Sequence, residues 1–324
     1  MKKFVFCFML TVLAVIIPVA TQSQAKIPKI GWLLVRPVAS SSVVEGGRRE
    51  LGALGYVEGK NVAFEYRSAD NKPDRLPTLA DELVRLKVDV IIAAALNEAL
   101  AAKNTTQTIP IVFVGNGDPI AAGLVDSLAR PGGNITGFTT IAAVLAGKRL
   151  ELLKEAIPKL SRVALMWNPQ EAGSAQTWKE SQLPARALGL QLHSMEVSSE
   201  EQFEGAFKDA IKARSTALAM TDFALGFSNQ KRIAELAAKN RLPAIYSRGD
   251  FVASGGLMSY GADDSERFRR TAVMVDKILK GTKPAEIPVE QPKSFEFVIN
   301  LKAAKQIGLT IPPNVLVRAG KGIR

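Results

Sequence analysis

The sequence predicts an α/β protein with two lobes, each a parallel sheet flanked by helices, joined by a hinge of several strands. Apolar segments of strand length recur along the chain, and amphipathic segments with the 3.6-residue period of helices separate most of them. The strand segments are mostly apolar rather than alternating, which is typical of parallel strands covered on both faces. A chain of 324 residues also exceeds what one core usually supports.

The periodicity places individual elements along the chain. Strands are expected at 30–35, 62–66, 88–94, 111–114, 163–167, 190–197, 217–220 and 244–246. Helices are expected, among others, at 76–86, 149–156, 200–212 and 229–240. Strands that alternate with helices in this way build parallel sheets.

Segments rich in glycine or proline mark where the chain is expected to pass between the lobes. These segments are 130–137, 255–261 and 287–292. The lobe boundaries that follow are 26–139 with 262–289 for lobe I, and 140–261 with 290–324 for lobe II. Because the chain passes between the lobes more than once, the lobes can bend about the crossings without separating, which is the closure used to trap ligands.

Residues 1–25 predict a secretory signal peptide. Lys2 and Lys3 precede an apolar run that ends in Ser-Gln-Ala at 23–25, the small-residue pattern of a cleavage site. We expect cleavage after Ala25 and a periplasmic protein that is not inserted in the membrane; the alternative, an uncleaved anchor, requires a longer apolar run. The one cysteine, Cys7, lies within this run, so the mature chain has no thiol for a disulfide, metal site or nucleophile.

Several classes of function are not supported by the sequence. The formal charge of +11 is spread along the chain rather than clustered, so no nucleic-acid partner is expected. The single histidine, His193, lies in a predicted strand without metal-ligand spacing to another residue. The segment 115–117 (Gly-Asn-Gly) begins like a dinucleotide fingerprint, but Ile120 occupies the third glycine position. We therefore expect no enzyme, no cofactor and no metal.

Five ordered segments carry a family resemblance: LGALGYVEGKNV at 51–62, DPIAAGLVDSLARPGGNITG at 118–137, GKRLELLK at 147–154, GGLMSYG at 255–261 and ILKG at 278–281. They span nearly the whole mature chain. Together they resemble the tryptophan/tyrosine-type substrate-binding family of ABC transporters. The resemblance implies a type I periplasmic-binding fold that delivers a small molecule, often an aromatic amino acid or a related compound, to an inner-membrane permease and its ATPase. A monomer is expected for such a shuttling carrier.

The carboxyl ends of the predicted strands supply the candidate binding residues, because ligands of open α/β sheets bind there, near helix N-termini. These candidates are Ser40, Ser41, Ser42, Asn97, Asn116, Asp118, Asn168, Asp222, Phe223, Tyr246 and Tyr260. Serine hydroxyls suit a carboxylate or phosphate, Asp222 suits an ammonium group, and the aromatic rings suit an apolar wall. Tyr260 falls in a predicted crossing.

Each type of candidate also has a structural interpretation. The serines and Asp222 are equally suited to cap helices, Asp118 to shape a turn, and the aromatic residues to fill the cores. Asn97 and Glu98 stand where the family commonly has small residues, which favours a more polar or cationic ligand, although Glu98 also suits the first turn of a helix.

A functional alternative from another class is a periplasmic ligand sensor of the same fold, coupled to a membrane receptor. It would use the same closing clamp. A DNA-binding regulator is excluded because no room for a helix-turn-helix exists between Ala25 and the strand at 30–35.

Overall fold

A computed structural model of the chain describes residues 26–319 and 321–323, without the side chains of Ser40, Asp264 and 321–323. The predicted signal peptide and its cleavage site therefore lie outside the described residues. Within the described part of the chain, no helix combines the length and the apolar character needed to cross a bilayer.

Lobe I is formed around a sheet of five described strands. These are β1 (Lys29–Leu34), β2 (Ala63–Ser68), β3 (Val90–Ala93), β4 (Ile111–Gly115) and β5 (Ile135–Thr139). All pair in parallel, in the order β2-β1-β3-β4-β5. The helices of this lobe are α1 (Ser42–Ala53), α2 (Leu76–Arg85), α3 (Leu96–Thr105) and α10 (Asp264–Leu279).

Lobe II is formed around a sheet of seven described strands. These are β6 (Arg162–Trp167), β7 (Gln191–Glu196), β8 (Ala217–Met220), β9 (Ala244–Tyr246), β10 (Met258–Ala262), β11 (Phe295–Asn300) and β12 (Lys321–Ile323). Their order is β12-β11-β10-β9-β8-β6-β7. The helices of this lobe are α4 (Ala146–Ala156), α5 (Ala172–Ala187), α6 (Gln202–Lys212), α7 (Ala224–Ser228), α8 (Gln230–Lys239), α9 (Gly249–Ala253), α11 (Leu301–Gln306) and α12 (Pro313–Arg318).

The predicted fold class, a two-lobed α/β protein with parallel-dominated sheets, is confirmed. One strand pair departs from the expectation of purely parallel sheets, because β10 and β11 are antiparallel. The chain leaves lobe II after β10 and returns directly into β11, where Ala262 pairs with Phe295. The first residue of β11 lies beside the last residue of β10, at the same end of the sheet. The two strands therefore run in opposite directions.

The chain passes between the sheets after β5, after β10 and before β11. The third of these segments lies alongside β5, where Thr139 N–H donates to Glu290 O (3.0 Å) and Glu290 N–H donates to Gly137 O (2.9 Å). The segment 255–261, expected to be a crossing, instead contributes most of β10. Gly261 permits close packing there, because a Cβ on this residue would lie 1.8 Å from the Ser247 carbonyl oxygen.

Helix α10 returns to lobe I after the second crossing and closes one face of its sheet. Phe268 packs in the same buried cluster as Trp32, Val43 and Val44. The position of α10 brings Arg267, next to Phe268, to the edge of lobe I that faces lobe II.

Candidate ligand-binding site

A cavity lies between the two lobes, at the carboxyl ends of β1, β3 and β4 on one side and of β6, β8 and β9 on the other. The empty space between its lining residues, open solvent included, is about 530 Å³. In lobe I, β1 and β3 are neighbouring strands. The chain continues from β1 to β2 on one side of this pair and from β3 to β4 on the other side. Ligands of open α/β sheets bind at such switch points, so this is the position expected for a small-molecule site.

The lobe I wall combines small residues with a few polar and charged ones. Ala94, Ala95 and Gly115 leave space at the ends of β3 and β4, and Ser41 caps α1 through its Oγ, which accepts from Val44 N–H (3.4 Å). The charged and polar residues of this wall are Arg36, Glu98, Asn116 and Arg267.

The lobe II wall is more aromatic and carries as many charged residues as the lobe I wall. Its residues include Glu171, Asp222, Phe223, Phe227 and Arg248. Glu171 precedes α5, and both of its carboxylate oxygens accept from Ala224 N–H (2.9 and 3.0 Å) at the start of α7. Arg248 donates to Asp250 Oδ2 (2.7 Å), and Ser247 Oγ donates to Asp222 Oδ1.

Three buried arginines from different elements meet in this cavity. Arg36, Arg248 and Arg267 expose only 8%, 8% and 5% of their surfaces. The guanidinium carbons of Arg36 and Arg248 lie 5.7 and 4.8 Å from the centroid of the Phe227 ring. Burial, and secondarily the Arg248 charge, lower the pKa of Arg36 to about 10. Such a cluster favours an anion, because guanidinium groups bind carboxylates through paired, charge-assisted hydrogen bonds.

Two buried carboxyl groups face the same cavity from opposite lobes. Glu98 Oε1 accepts from Val35 N–H (2.8 Å), while Glu98 Oε2 is buried without a hydrogen-bond partner among the described residues. Burial raises the pKa of Glu98 to about 7. Burial also raises the pKa of Glu171 to about 8. The hydrogen bond from Ala224 N–H lowers this pKa, and the negative charge of Glu98 raises it further. These carboxyl groups favour a positive charge between the lobes.

Hydrogen bonds cross directly from one lobe to the other around the cavity. Asn97 Nδ2 donates to Gln170 O (2.9 Å), and Asn97 Oδ1 accepts from Ala172 N–H (2.9 Å). Asn116 Nδ2 donates to Asp222 O (2.9 Å). Two further bonds cross between the lobes. Arg248 Nη2 donates to Ser42 Oγ (3.0 Å), and Asp118 N–H donates to Gln176 Oε1 (2.8 Å). The lobes are therefore in a closed arrangement.

Four of the residues predicted from the sequence are brought together in the cavity wall: Ser41, Asn116, Asp222 and Phe223. Ser42 lies beside them and accepts from Arg248, whereas the side chain of Ser40 is outside the described part. Asp222, which has no basic neighbour in the sequence, has the buried Arg149 as a charged neighbour in space.

Three predicted residues lie around the cavity rather than in its wall. Asn97 joins the lobes at the rim, as described above. Asp118 accepts from Ile120 N–H (2.8 Å) and Ala121 N–H (3.2 Å), which is the turn-shaping role. Asn168 is buried behind the wall, where its Nδ2 donates to Glu171 Oε1 (3.3 Å).

The two predicted tyrosines lie in the cores of lobe II and not in the cavity wall. Tyr246 is 1% exposed and stacks on Phe251, with ring centroids 4.5 Å apart. Tyr260 does not lie at a crossing, because it pairs with Phe297 inside β10 and β11 and packs against Phe295. Side chains alternate between the faces of a strand, so a tyrosine near a strand end can point into the core instead of the cleft.

Several charged residues of the wall were not among the sequence-based candidates: Arg36, Glu171, Arg248 and Arg267. Arg36 follows β1 by two residues and Arg248 follows β9 by two residues, so the strand-end rule includes both positions. The candidates near these positions were instead the serines at 40–42 and the aromatic Tyr246. Glu171 and Arg267 carry no comparable signal, because Glu171 suits the start of a helix and Arg267 is one of several charged residues in the helix α10.

The fold and sequence are similar to those of proteins whose ligands are named. A tyrosine-binding protein of Clostridioides difficile is 26% identical over 276 residues, which cover 85% of this chain and 79% of that protein. An ABC domain from Streptococcus pneumoniae in complex with L-Trp is 26% identical, with a TM-score of 0.83 and coverage of 91% of this chain and 99% of the other.

A ligand-free, open substrate-binding protein with adhesive properties from Clostridium difficile has the same 26% identity but a TM-score of 0.63, with coverage of 89% and 97%. The lower score against an open relative agrees with the closed arrangement of the lobes in this chain. The model of the family described as ABC transporter substrate binding protein matches residues 34–323, so this chain belongs to that family, a class of solute-binding proteins rather than enzymes.

Proposed function

We propose that the chain is the solute receptor of an ABC uptake system and that its ligand is an amino acid, with an aromatic side chain as the best candidate. The observation that carries this proposal is the meeting of opposite charges in one closed cavity. Arg36, Arg248 and Arg267 suit the ligand's carboxylate, and Glu98 and Glu171 suit its ammonium group.

The apolar part of the cavity supports a ring or an apolar chain on the same ligand. Phe223 and Phe227 line the lobe II side, and Val43 and Ala224 add further apolar surface. Binding sites commonly use such side chains for contact area and a few polar groups for orientation. The named ligands of the relatives, tyrosine and L-Trp, combine these same features.

Closure of the two lobes is the proposed mechanism. The ligand binds one wall of the open cleft, the second wall closes over it, and a permease with its ATPase recognises the closed shape. Affinity then reflects a shift of population from open to closed molecules. The protein is proposed to act as a periplasmic monomer, released from its signal peptide after Ala25, which mass spectrometry of the exported form would test.

A thermal-shift screen of purified residues 26–324 tests the ligand class. The panel would contain amino acids, aromatic acids, nucleobases and sugars, since a ligand at 100 times its dissociation constant stabilises by about 2.7 kcal/mol. We expect a selective rise of the melting temperature with an aromatic amino acid. A selective rise with a sugar or nucleobase, or no rise with any amino acid or carboxylate, would contradict the proposed ligand.

A further inference from the structure

The carboxyl groups of Glu98 and Glu171 belong to different lobes and meet only because the lobes are closed. Glu98 is 2% exposed and Glu171 is 8% exposed, and both line the same cavity. Glu171 is satisfied within lobe II by Ala224 N–H, but the second oxygen of Glu98 is buried without a hydrogen-bond partner among the described residues. Two carboxylates in one buried site repel each other, and the Glu98 oxygen that lacks a hydrogen-bond donor favours a proton or another positive group beside it.

We propose, on the basis of the proposed function, that this carboxyl pair holds one positive charge in the closed protein. The charge is a proton when the bound molecule has no cationic group, and the ligand's ammonium group when it has one. A proton therefore leaves the pair for solvent when a ligand with an ammonium group replaces one without it. The pair acts as a selector for ligands with a cationic group, and the strength of that selection depends on pH.

Other charged groups face the pair and were considered with it. Guanidinium groups of Arg36, Arg248, Arg267 and Arg149, and carboxylates of Asp222 and Asp250, lie in or beside the cavity. Arg36 lowers the pKa of Glu98, but burial outweighs it. Asp250 is paired with Arg248, and Asp222 accepts from Ser247. None of these neighbours donates a hydrogen bond to Glu98 Oε2, which stays buried without a partner among the described residues, and burial keeps the pKa values of Glu98 and Glu171 raised to about 7 and about 8.

The sign of the pH effect follows from the direction of these shifts. A carboxyl group whose pKa is raised in the closed state binds more protons there than in the open state between its ordinary pKa and the raised value. Without a cationic ligand, the closed state is therefore favoured at low pH. Its population falls as the pH rises from about 5 to 8. Closure around an ammonium group needs no such proton.

Two matched ligands test the proposal: L-tryptophan and indole-3-propionate, which lacks the ammonium group. We would measure both affinities by calorimetry from pH 5.5 to 8.5. Their ratio compares two filled, closed states, so it does not depend on how far the ligand-free protein is open. We expect the preference for L-tryptophan to rise about tenfold per pH unit below the pKa of the pair. A ratio that stays constant across this range would overturn the proposal.

Variants identify the groups responsible. Glu98→Gln and Glu171→Gln should flatten the pH dependence of the ratio, because an amide does not ionise, whereas Glu204→Gln on the exposed face of α6 should leave it intact. Retention of the full pH dependence in both cavity variants would assign it to other groups and contradict the proposal. Circular dichroism and melting curves would confirm that each variant folds.

A ligand-free measurement separates this proposal from the proposed function. Because Cys7 lies in the predicted signal peptide, the mature chain accepts two fluorescent labels at Ala53→Cys in lobe I and Leu183→Cys in lobe II, both exposed positions. We expect the labels to move closer as the pH falls from 8.5 to 5.5, and this movement to disappear in a Glu98→Gln/Glu171→Gln variant. A distance independent of pH would overturn the carboxyl-pair proposal, whereas failure of every amino acid to bind would overturn only the proposed ligand.

Discussion

The two walls of the cavity differ in how far their charges are satisfied before the lobes meet. On the lobe II wall, Glu171 accepts from Ala224 N–H and Arg248 is paired with Asp250 within the same lobe. On the lobe I wall, the guanidinium of Arg36 lies over Phe227 of the opposite lobe, and Glu98 keeps one buried oxygen without a partner among the described residues. Lobe II therefore presents a largely preformed wall, and lobe I completes the site on closure.

This difference suggests that lobe II receives the ligand first and that lobe I supplies selection as it closes. Preformed polar groups bind without a reorganisation cost, whereas incompletely satisfied groups reward the correct ligand group at closure. Substitutions on the two walls, and at the residues that hold the walls together, should separate these contributions.

The largest effect is expected for Arg36→Met, which removes a charge from the lobe I wall. A net charge-assisted hydrogen bond contributes about 1.5–3 kcal/mol, so the affinity for L-tryptophan should fall by about 10- to 100-fold. The ligand-free melting temperature should not fall, because burial of this guanidinium, which lowers its pKa, costs stability. Calorimetry and melting curves would measure both effects. Arg85→Met, at a side chain that is 78% exposed on α2, is the control, and equal affinities of the two variants would contradict a role for Arg36.

A smaller effect is expected for Gly173→Ala, which disturbs the contact between the walls. A Cβ at this position would lie 2.7 Å from the Asn116 side chain of the opposite lobe. Overpacking of this kind costs about 1–3 kcal/mol, and it applies only to the closed state, so affinity should fall by about tenfold. The ligand-free protein should keep its melting temperature. Gly205→Ala, with open space around the added methyl group, should bind like the wild type; a similar loss in both variants would show that closure is not the cause.

A third variant, Asn97→Ala, removes two hydrogen bonds between the lobes. Each bond contributes about 0.5–1.5 kcal/mol net, and their partial exposure places the expected loss of affinity at about fivefold. Faster ligand dissociation in stopped-flow measurements should account for the loss. Asn240→Ala removes a bond within lobe II only, to Leu236 O, and should not change dissociation. Unchanged dissociation from Asn97→Ala would argue against its role in holding the closed state.

The smallest effect on binding is expected for Tyr246→Phe, in the core behind the lobe II wall. The Tyr246 hydroxyl is buried without a hydrogen-bond partner among the described residues, and burial raises its pKa. Removing the hydroxyl should leave affinity within about twofold and should not lower the melting temperature, because an unsatisfied buried polar group costs about 1–3 kcal/mol. A large loss of affinity would restore Tyr246 as a ligand contact.

The sequence allowed much of the architecture to be predicted, because hydrophobic periodicity is a local property. All eight predicted strands are present, with small differences at their ends. Four strands were not predicted, and one of them, β12, is only three residues long. The other three are β5, β10 and β11: ITGFT and MSYGA contain glycine and polar residues, and FEFVIN follows a segment rich in proline. These three strands adjoin the crossings between lobes, where sequence signals for turns and strands overlap.

The candidate site was predicted only in part. Strand ends led to Ser41, Asn116, Asp222 and Phe223, and these four residues lie in the cavity wall. The same rule also selected Tyr246, and Tyr260 was selected because it falls in a predicted crossing; both rings point into cores. A strand-end position alone does not determine the direction in which a side chain points.

The sequence by itself determined the α/β class, the two-lobed organisation and the family resemblance, since these depend on patterns along the chain. Only the tertiary structure decided which charged residues form the site. Arg36 and Glu98 have the sequence context of ordinary surface residues, and both are buried in the folded protein. Burial, and the pKa shifts that follow from it, are properties of the closed arrangement of both lobes and not of any single segment.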